Sequence, residues 1–147
     1  DDDSLLPLKP DQRILIVDRV VATQLESNDL WNHPGMFWEF MLRHSNNVAY
    51  VDYMPGSMDR CRDTIGTMID QVDVMVVVGH FCRGEQNNSK AFIRSLETFG
   101  KPVVLVSSNP YEELLIPEEI GTVVVTYGLM RDSLESAAEY LFGQSGR

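Results

Sequence analysis

Cysteine is scarce in this chain: Cys61 and Cys82 are the only two among 147 residues. Two thiols cannot build the cross-linked framework of a small secreted scaffold, so the fold must rest on a packed core, and the cellular compartment stays open. Long apolar runs are missing as well, since none approaches the roughly 20 residues that a membrane-spanning helix requires. Basic side chains are few, with 12 Lys and Arg against 22 Asp and Glu and a formal net charge of −10. Such a field repels phosphate backbones and anionic lipid, so neither nucleic acid nor a membrane surface is expected as a partner. No signal or transit segment is visible, yet the chain opens Asp1-Asp2-Asp3 without a Met. The expectation is a processed chain, or one cut from something longer.

Phosphate-binding signatures are also lacking. There is no Walker pattern, and Asp18-Arg19-Val20-Val21 stands where a dinucleotide fold places its glycines. No nucleotide cofactor is expected.

What the chain does have is an ordinary globular balance, with 44% hydrophobic and 23% charged residues. Its length suits one domain, residues 1–147, burying roughly two-thirds of its unfolded surface in a single core. Short β-rich runs alternate with helical stretches. Ile14 to Val17 is the first run, ended by Asp18, and residues 19–34 read as a long connection broken by Ser27, Asn28, Asp29, Asn32 and Pro34. Gly35 to His44 places Met36, Phe37, Phe40 and Met41 at helical spacing. Val48 to Val51 is a second strand, and Ser57 to Gln71 a helix with Ser57 as its N-cap. Val72 to Gly79 is the most continuous apolar run, as suits a central parallel strand covered on both faces. A helix over Ser89 to Phe99, strands over Val103 to Val106 and Thr122 to Thr126, and a helix over Ser133 to Phe142 complete the pattern. The expected fold is α/β: an open, mostly parallel sheet of five or six strands with helices on both faces, a flavodoxin-like or Rossmann-like three-layer sandwich.

In such sheets ligands sit at the carboxyl ends of the strands. That rule selects Asp18, Tyr53-Met54-Pro55, the loop from Gly79 to Glu85, Ser107 to Tyr111, and Tyr127-Gly128. A phospho-acceptor receiver needs an Asp at the end of the third strand, where Gly79-His80 stands instead. His80 and Cys82 make a His-x-Cys pair, but zinc needs three or four ligands, and His33 and His44 lie in unrelated segments. Cys82 with His80 as a nucleophile and base lacks an evident third group. No metal is expected. Glu112-Glu113 and Glu118-Glu119 are neighbours that point apart and suit a solvated surface better than a glycosidase pair. Asn87-Asn88-Ser89 fits a glycosylation pattern too short to be specific, and Trp31 in its loop is a possible ligand or interface residue. At Asn109-Pro110-Tyr111 the proline both stops a strand and disfavours helix at the residue before it. It is expected to end the fourth strand and launch a helix. Contact of this segment with a ligand stays open beside that structural role.

Three segments together resemble the second, C-terminal α/β domain of family 3 glycoside hydrolases. "SLLPLKPDQRILIVD" (4–18) is similar to the entry into that domain, and "VDVMVVVG" with "FGKPVVLVSSNPYEELL" to its middle strand, helix and strand. "TVVVTYGLMRDSLESAAEYLFGQSGR" is similar to its closing strand and helix, and the Asn109-Pro110-Tyr111 ending is especially like the β-N-acetylhexosaminidase branch. The resemblance implies a partner, the N-terminal catalytic (β/α)8 barrel of the same protein, which in that family carries the nucleophilic Asp. This chain would then be an accessory domain with no catalytic residue of its own. It would pack on the barrel and lend loops to the rim of a saccharide site. His80, Arg83, Glu85, Asn109, Tyr111 and Tyr127 are the candidates for that rim or interface. "HFCRGEQNNSK" (80–90) departs from the family's pattern, which puts His80, Arg83 and Glu85 in question. A free-standing module that binds a saccharide or a protein is the alternative, and a small enzyme using His80, Cys82 or Glu85 a third.

Overall fold

A computed structural model of the chain describes residues 4–21, 33–81 and 89–144. The elements run β1 (Ile14–Arg19), α1 (Met36–Leu42), β2 (Val48–Tyr53), α2 (Met58–Met68), β3 (Val74–Gly79), α3 (Ser89–Leu96), β4 (Val103–Ser107), β5 (Thr122–Val125) and α4 (Arg131–Leu141). All neighbouring strands pair in parallel, in the order β2-β1-β3-β4-β5. The chain starts near the middle, builds outward to β2, then crosses β1 and builds the other way. The order reverses between β1 and β3, which makes their carboxyl ends the switch point where such folds form a crevice.

Strand alternation divides the sheet into two apolar faces. Ile14, Ile16, Val76 and Val104 pack beneath α1 and α4, with Leu8 of the N-terminal segment joining them. Leu15, Val17, Met75 and Leu105 pack beneath α2 and α3 on the opposite face. Both central strands are buried along their whole length, as their unbroken apolar runs require. The α/β sandwich with helices on both faces is therefore the fold, with five strands among the described residues.

Local departures have physical causes. β1 does not end at Asp18 but runs through Arg19, because β2 goes on pairing with it as far as Arg19 opposite Tyr53. Ser57 stands at the start of α2 without capping it. Its Oγ instead accepts the Met54 N–H at 2.9 Å and closes a 3-10 turn over Pro55–Ser57. The expected helix after Pro110 does not form. Residues 112–115 make one turn, closed by Leu115 N–H on the Tyr111 carbonyl at 2.9 Å. Pro117 and Gly121 leave no room for further helical bonds before β5. Leu115 and Ile120 bury their side chains on the sheet where that helix would lie. At the far end Gly143, at φ +71°, lets the Gly143 and Gln144 amides turn back onto the Tyr140 and Glu139 carbonyls and stops α4.

Candidate functional site

The switch point is filled by side chains. The β1–β3 ladder stops at Val17 opposite Val77, so the Val78 carbonyl lies beyond the last rung. Tyr53 reaches across from the end of β2 and donates its hydroxyl to that carbonyl at 2.7 Å. Its ring, fully buried, packs against Phe92 of α3 with centroids 4.4 Å apart. Burial raises the Tyr53 phenol far above its ordinary range, so it is a neutral donor at any physiological pH. The buried Arg19 guanidinium stands 5.9 Å over the same ring and donates to the Val20 carbonyl. Among the described residues, Tyr53 and Arg19 thus stand at the carboxyl ends of β1 and β3.

Asp18, one residue earlier, faces the α1 side. Tyr50 Oη donates to its Oδ2 at 3.1 Å, and the Gly35 and Arg19 backbone amides also stabilise the carboxylate. Burial outweighs these bonds, and the nearby Asp52 charge adds to it, so the Asp18 carboxyl is pushed up to about 7. The carboxyl is held by Tyr50 and two backbone amides in a buried setting.

Polar groups gather instead at the ends of β3 and β4. His80 Nδ1 lies 2.7 Å from Ser108 Oγ, and Asn109 Nδ2 donates to the same oxygen at 3.3 Å. Which of Nδ1 and Ser108 Oγ donates in that contact follows the tautomer of the imidazole. A serine beside an imidazole is half of a nucleophile–base arrangement; here the Ser108 side chain is buried and the imidazole half-buried. Asn109 Oδ1 accepts the Tyr111 N–H at 3.4 Å, and Ser107 Oγ donates to the Asn109 carbonyl at 2.6 Å. The β5 loop is tied to the same place, because Thr126 N–H donates to the Ser107 carbonyl at 2.8 Å and Thr126 Oγ1 to that of Gly128 at 2.6 Å.

Of the residues singled out from sequence, His80 and Asn109 meet through Ser108, Tyr111 follows on the same loop, and Tyr127 stands on the adjoining one. Arg83, Glu85, Cys82 and Trp31 lie outside the described residues. Ser108 was missed as the hub, although the Ser-Ser step after an apolar strand marks it. Tyr53 lies in a stretch that the strand-end rule selects and Arg19 does not, and nothing in a sequence says which strand-end side chains turn inward.

Both carboxyl-end loops expose apolar side chains. Tyr111 is 55% and Tyr127 79% exposed, with Leu114 and Met130 beside them in sequence also in solvent. Tyr127 holds φ +57°, a left-handed conformation that a bulky residue adopts at a cost. Among the described residues no three His, Cys, Asp or Glu side chains are placed together as metal ligands, and no helix is long and apolar enough to cross a membrane.

No family model matches the chain, and no curated protein matches it. Its fold is similar to solved structures of glycoside hydrolase family 3. One is a fungal multi-domain GH3 β-N-acetylglucosaminidase described with a GCN5-related glucosamine N-acetyltransferase region: TM-score 0.68, 16% identity, over 99% of this chain and 16% of that one. Another is the GH3 β-N-acetylglucosaminidase of Paenibacillus sp. str. FPU-7: TM-score 0.69, 16% identity, over 95% of this chain and 26% of that one. The chain thus spans 16% and 26% of those proteins' lengths. At such identity the likeness is one of fold.

Proposed function

We propose that this chain is the accessory C-terminal α/β domain of a family 3 glycoside hydrolase of the β-N-acetylglucosaminidase type, residues 1–147 forming that single domain. It packs on the catalytic barrel of the same protein and lends its strand-end loops to the rim of a saccharide site. The observation that carries this role is the exposed apolar surface on the loops after β4 and β5. Tyr111, Leu114, Tyr127 and Met130 add little to the core, and Tyr127 is held in a strained conformation that stability alone does not select. The two similar enzymes support the choice of family.

The domain does no glycoside chemistry by itself in this proposal. Retaining hydrolysis needs a nucleophilic carboxylate and an acid/base at roughly 5 Å, both reaching the sugar. Asp18 is caged, and the acidic residues of the β4–β5 connection lie on a solvated turn, with Glu119 paired to Arg94 at 2.9 Å. His80 and Asn109 stiffen the rim, and Tyr111 and Tyr127 meet the barrel or the sugar. Arg83 and Glu85 complete the list of rim candidates.

The test is the mass of the native polypeptide, read by immunoblot with an antibody to this domain, together with turnover of a chromogenic β-N-acetylglucosaminide by the 147-residue chain. A native band several times larger than 16.7 kDa and no turnover by the isolated chain is the expected result. A native band at 16.7 kDa overturns the accessory role in favour of a free-standing binding module, a reading that the complete two-faced core already permits. Turnover by the isolated chain overturns both.

A further inference from the structure

The two outer edges of the sheet are treated differently. In β2 the residues Val48, Tyr50 and Asp52 turn their backbone groups outward, since Asn47 and Tyr53 bond inward to β1. Trp38 closes the first of these positions by donating its indole N–H to the Val48 carbonyl at 2.9 Å, and its ring stacks on Tyr50. Asp52 places an exposed charge at the other end. These are devices by which an edge strand resists pairing.

β5 has none of them. Its inward bonds fall on even-numbered residues, as Thr126 N–H on the Ser107 carbonyl and the register of Val124 opposite Val106 require. The N–H and C=O groups of Val123 and Val125 therefore point away from the sheet, and among the described residues nothing bonds to them. No proline, bulge or lysine guards the strand. Beside it runs an open groove between β5 and α4, lined by Val123, Val125, Asp132, Ser133, Ser136 and Tyr140. Three of the four helix residues named are small or short, so an added backbone can approach the helix closely.

Charge selects the occupant. Residues 117–130 contain Glu118 and Glu119 but no Lys, Arg or His. Asp132 is the charged side chain of the groove, exposed and without a cationic partner among the described residues. The nearest base in sequence, Arg131, is turned to the other side, with its guanidinium 5.4 Å over the Phe40 ring. We propose that the β5 edge is a strand-addition site for an extended, lysine- or arginine-bearing segment of a partner protein, which bonds to Val123 and Val125 and sets a cation on Asp132. Backbone bonds would supply affinity and the Asp132 contact the preference for a basic sequence. This site is lateral to the carboxyl-end loops and stands independently of the role proposed for them.

The probe is an acetylated, amidated Lys-Thr-Val-Lys-Val-Thr-Val-Lys peptide, added at low salt to the full chain while amide hydrogen exchange is followed by NMR. Exchange at Val123 and Val125 is expected to slow by about tenfold or more, while the inward amide of Val124 changes little. The same peptide with Glu for Lys should give no slowing. Val125→Pro removes an outward donor without touching the β4 ladder and should abolish the effect. Asp132→Lys, at an exposed helix position, should weaken binding about threefold or more and decides the charge preference if Val125→Pro unsettles the strand. No slowing with the basic peptide overturns the proposal, as does equal slowing with the acidic one. Protection of Val123 and Val125 in the peptide-free chain, rising with protein concentration together with a sedimenting dimer, also overturns it by making a second copy the occupant.

Discussion

The Tyr53 hydroxyl and the Val78 carbonyl, 25 residues apart in sequence and 2.7 Å apart in space, are the clasp that shuts the crevice between β1 and β3. The bond stands in for the rung that a β1 amide would have made had the ladder continued. Removing the hydroxyl leaves a buried carbonyl without its donor, at a penalty of about 1–3 kcal/mol. Tyr53→Phe is therefore expected to lower the urea midpoint with an unchanged denaturant slope, since the ring and its contact with Phe92 remain.

Asp18 makes stability fall with rising pH over one window. Its carboxyl titrates near 3.8 when unfolded and at about 7 when folded, chiefly because of burial, so the native state keeps the proton longer. The stabilisation is complete below the unfolded value, is lost progressively as pH rises toward 7, and is level above that. The span amounts to on the order of 4 kcal/mol. Asp18→Asn carries no titration and should flatten this limb. Urea midpoints of both proteins at pH 4.5 and pH 7.5 check it, the variant gaining relative to the parent at the higher pH.

Gly79 sits where three side-chain ends converge: a Cβ added there would lie 3.2 Å from Leu115 Cδ1 and 3.3 Å from both Ile93 Cδ1 and Leu105 Cδ1. Gly79→Ala should cost about 1–2 kcal/mol by overpacking, and Leu115→Ala about 2–4 kcal/mol by leaving a cavity. Because the new methyl points at the space Leu115 vacates, the double variant should be less destabilised than the two single effects added together. Chemical denaturation of the four proteins measures that coupling directly.

Tyr127 gives a test of strain. Its φ of +57° suits glycine, and most of its ring lies in solvent. Tyr127→Gly should leave the melting temperature unchanged or raise it, by up to about 1 kcal/mol of stability. If the proposed accessory role holds, the same change in a longer protein carrying the barrel should weaken the contact of the domain with it, read as easier separation of the two by limited proteolysis.

Sequence makes the two-faced sheet legible because burial on both sides leaves no alternation to misread: Ile14 to Val17 and Val74 to Val78 are apolar at every position. It misplaces boundaries where pairing with a neighbour decides them, as when β2 carries β1 past Asp18 to a buried Arg19. It misjudges the β4–β5 connection because Glu112, Glu113 and Leu114 favour helix locally while Pro117 limits the segment to one turn. The strand-end loops could be chosen from the fold rule alone. Which side chains turn into the crevice could not, since Tyr53 and Arg19 differ from an exposed tyrosine and arginine only in what surrounds them.

Trp38 and Val48 bear on more than one edge of one molecule. A sheet that could accept strands on both sides would let each copy be guest and host at once, and chains of copies could lengthen without limit. With the β2 side blocked, growth halts after a single addition. One strand added at β5 would therefore complete the sheet rather than open a new edge for copies of this chain.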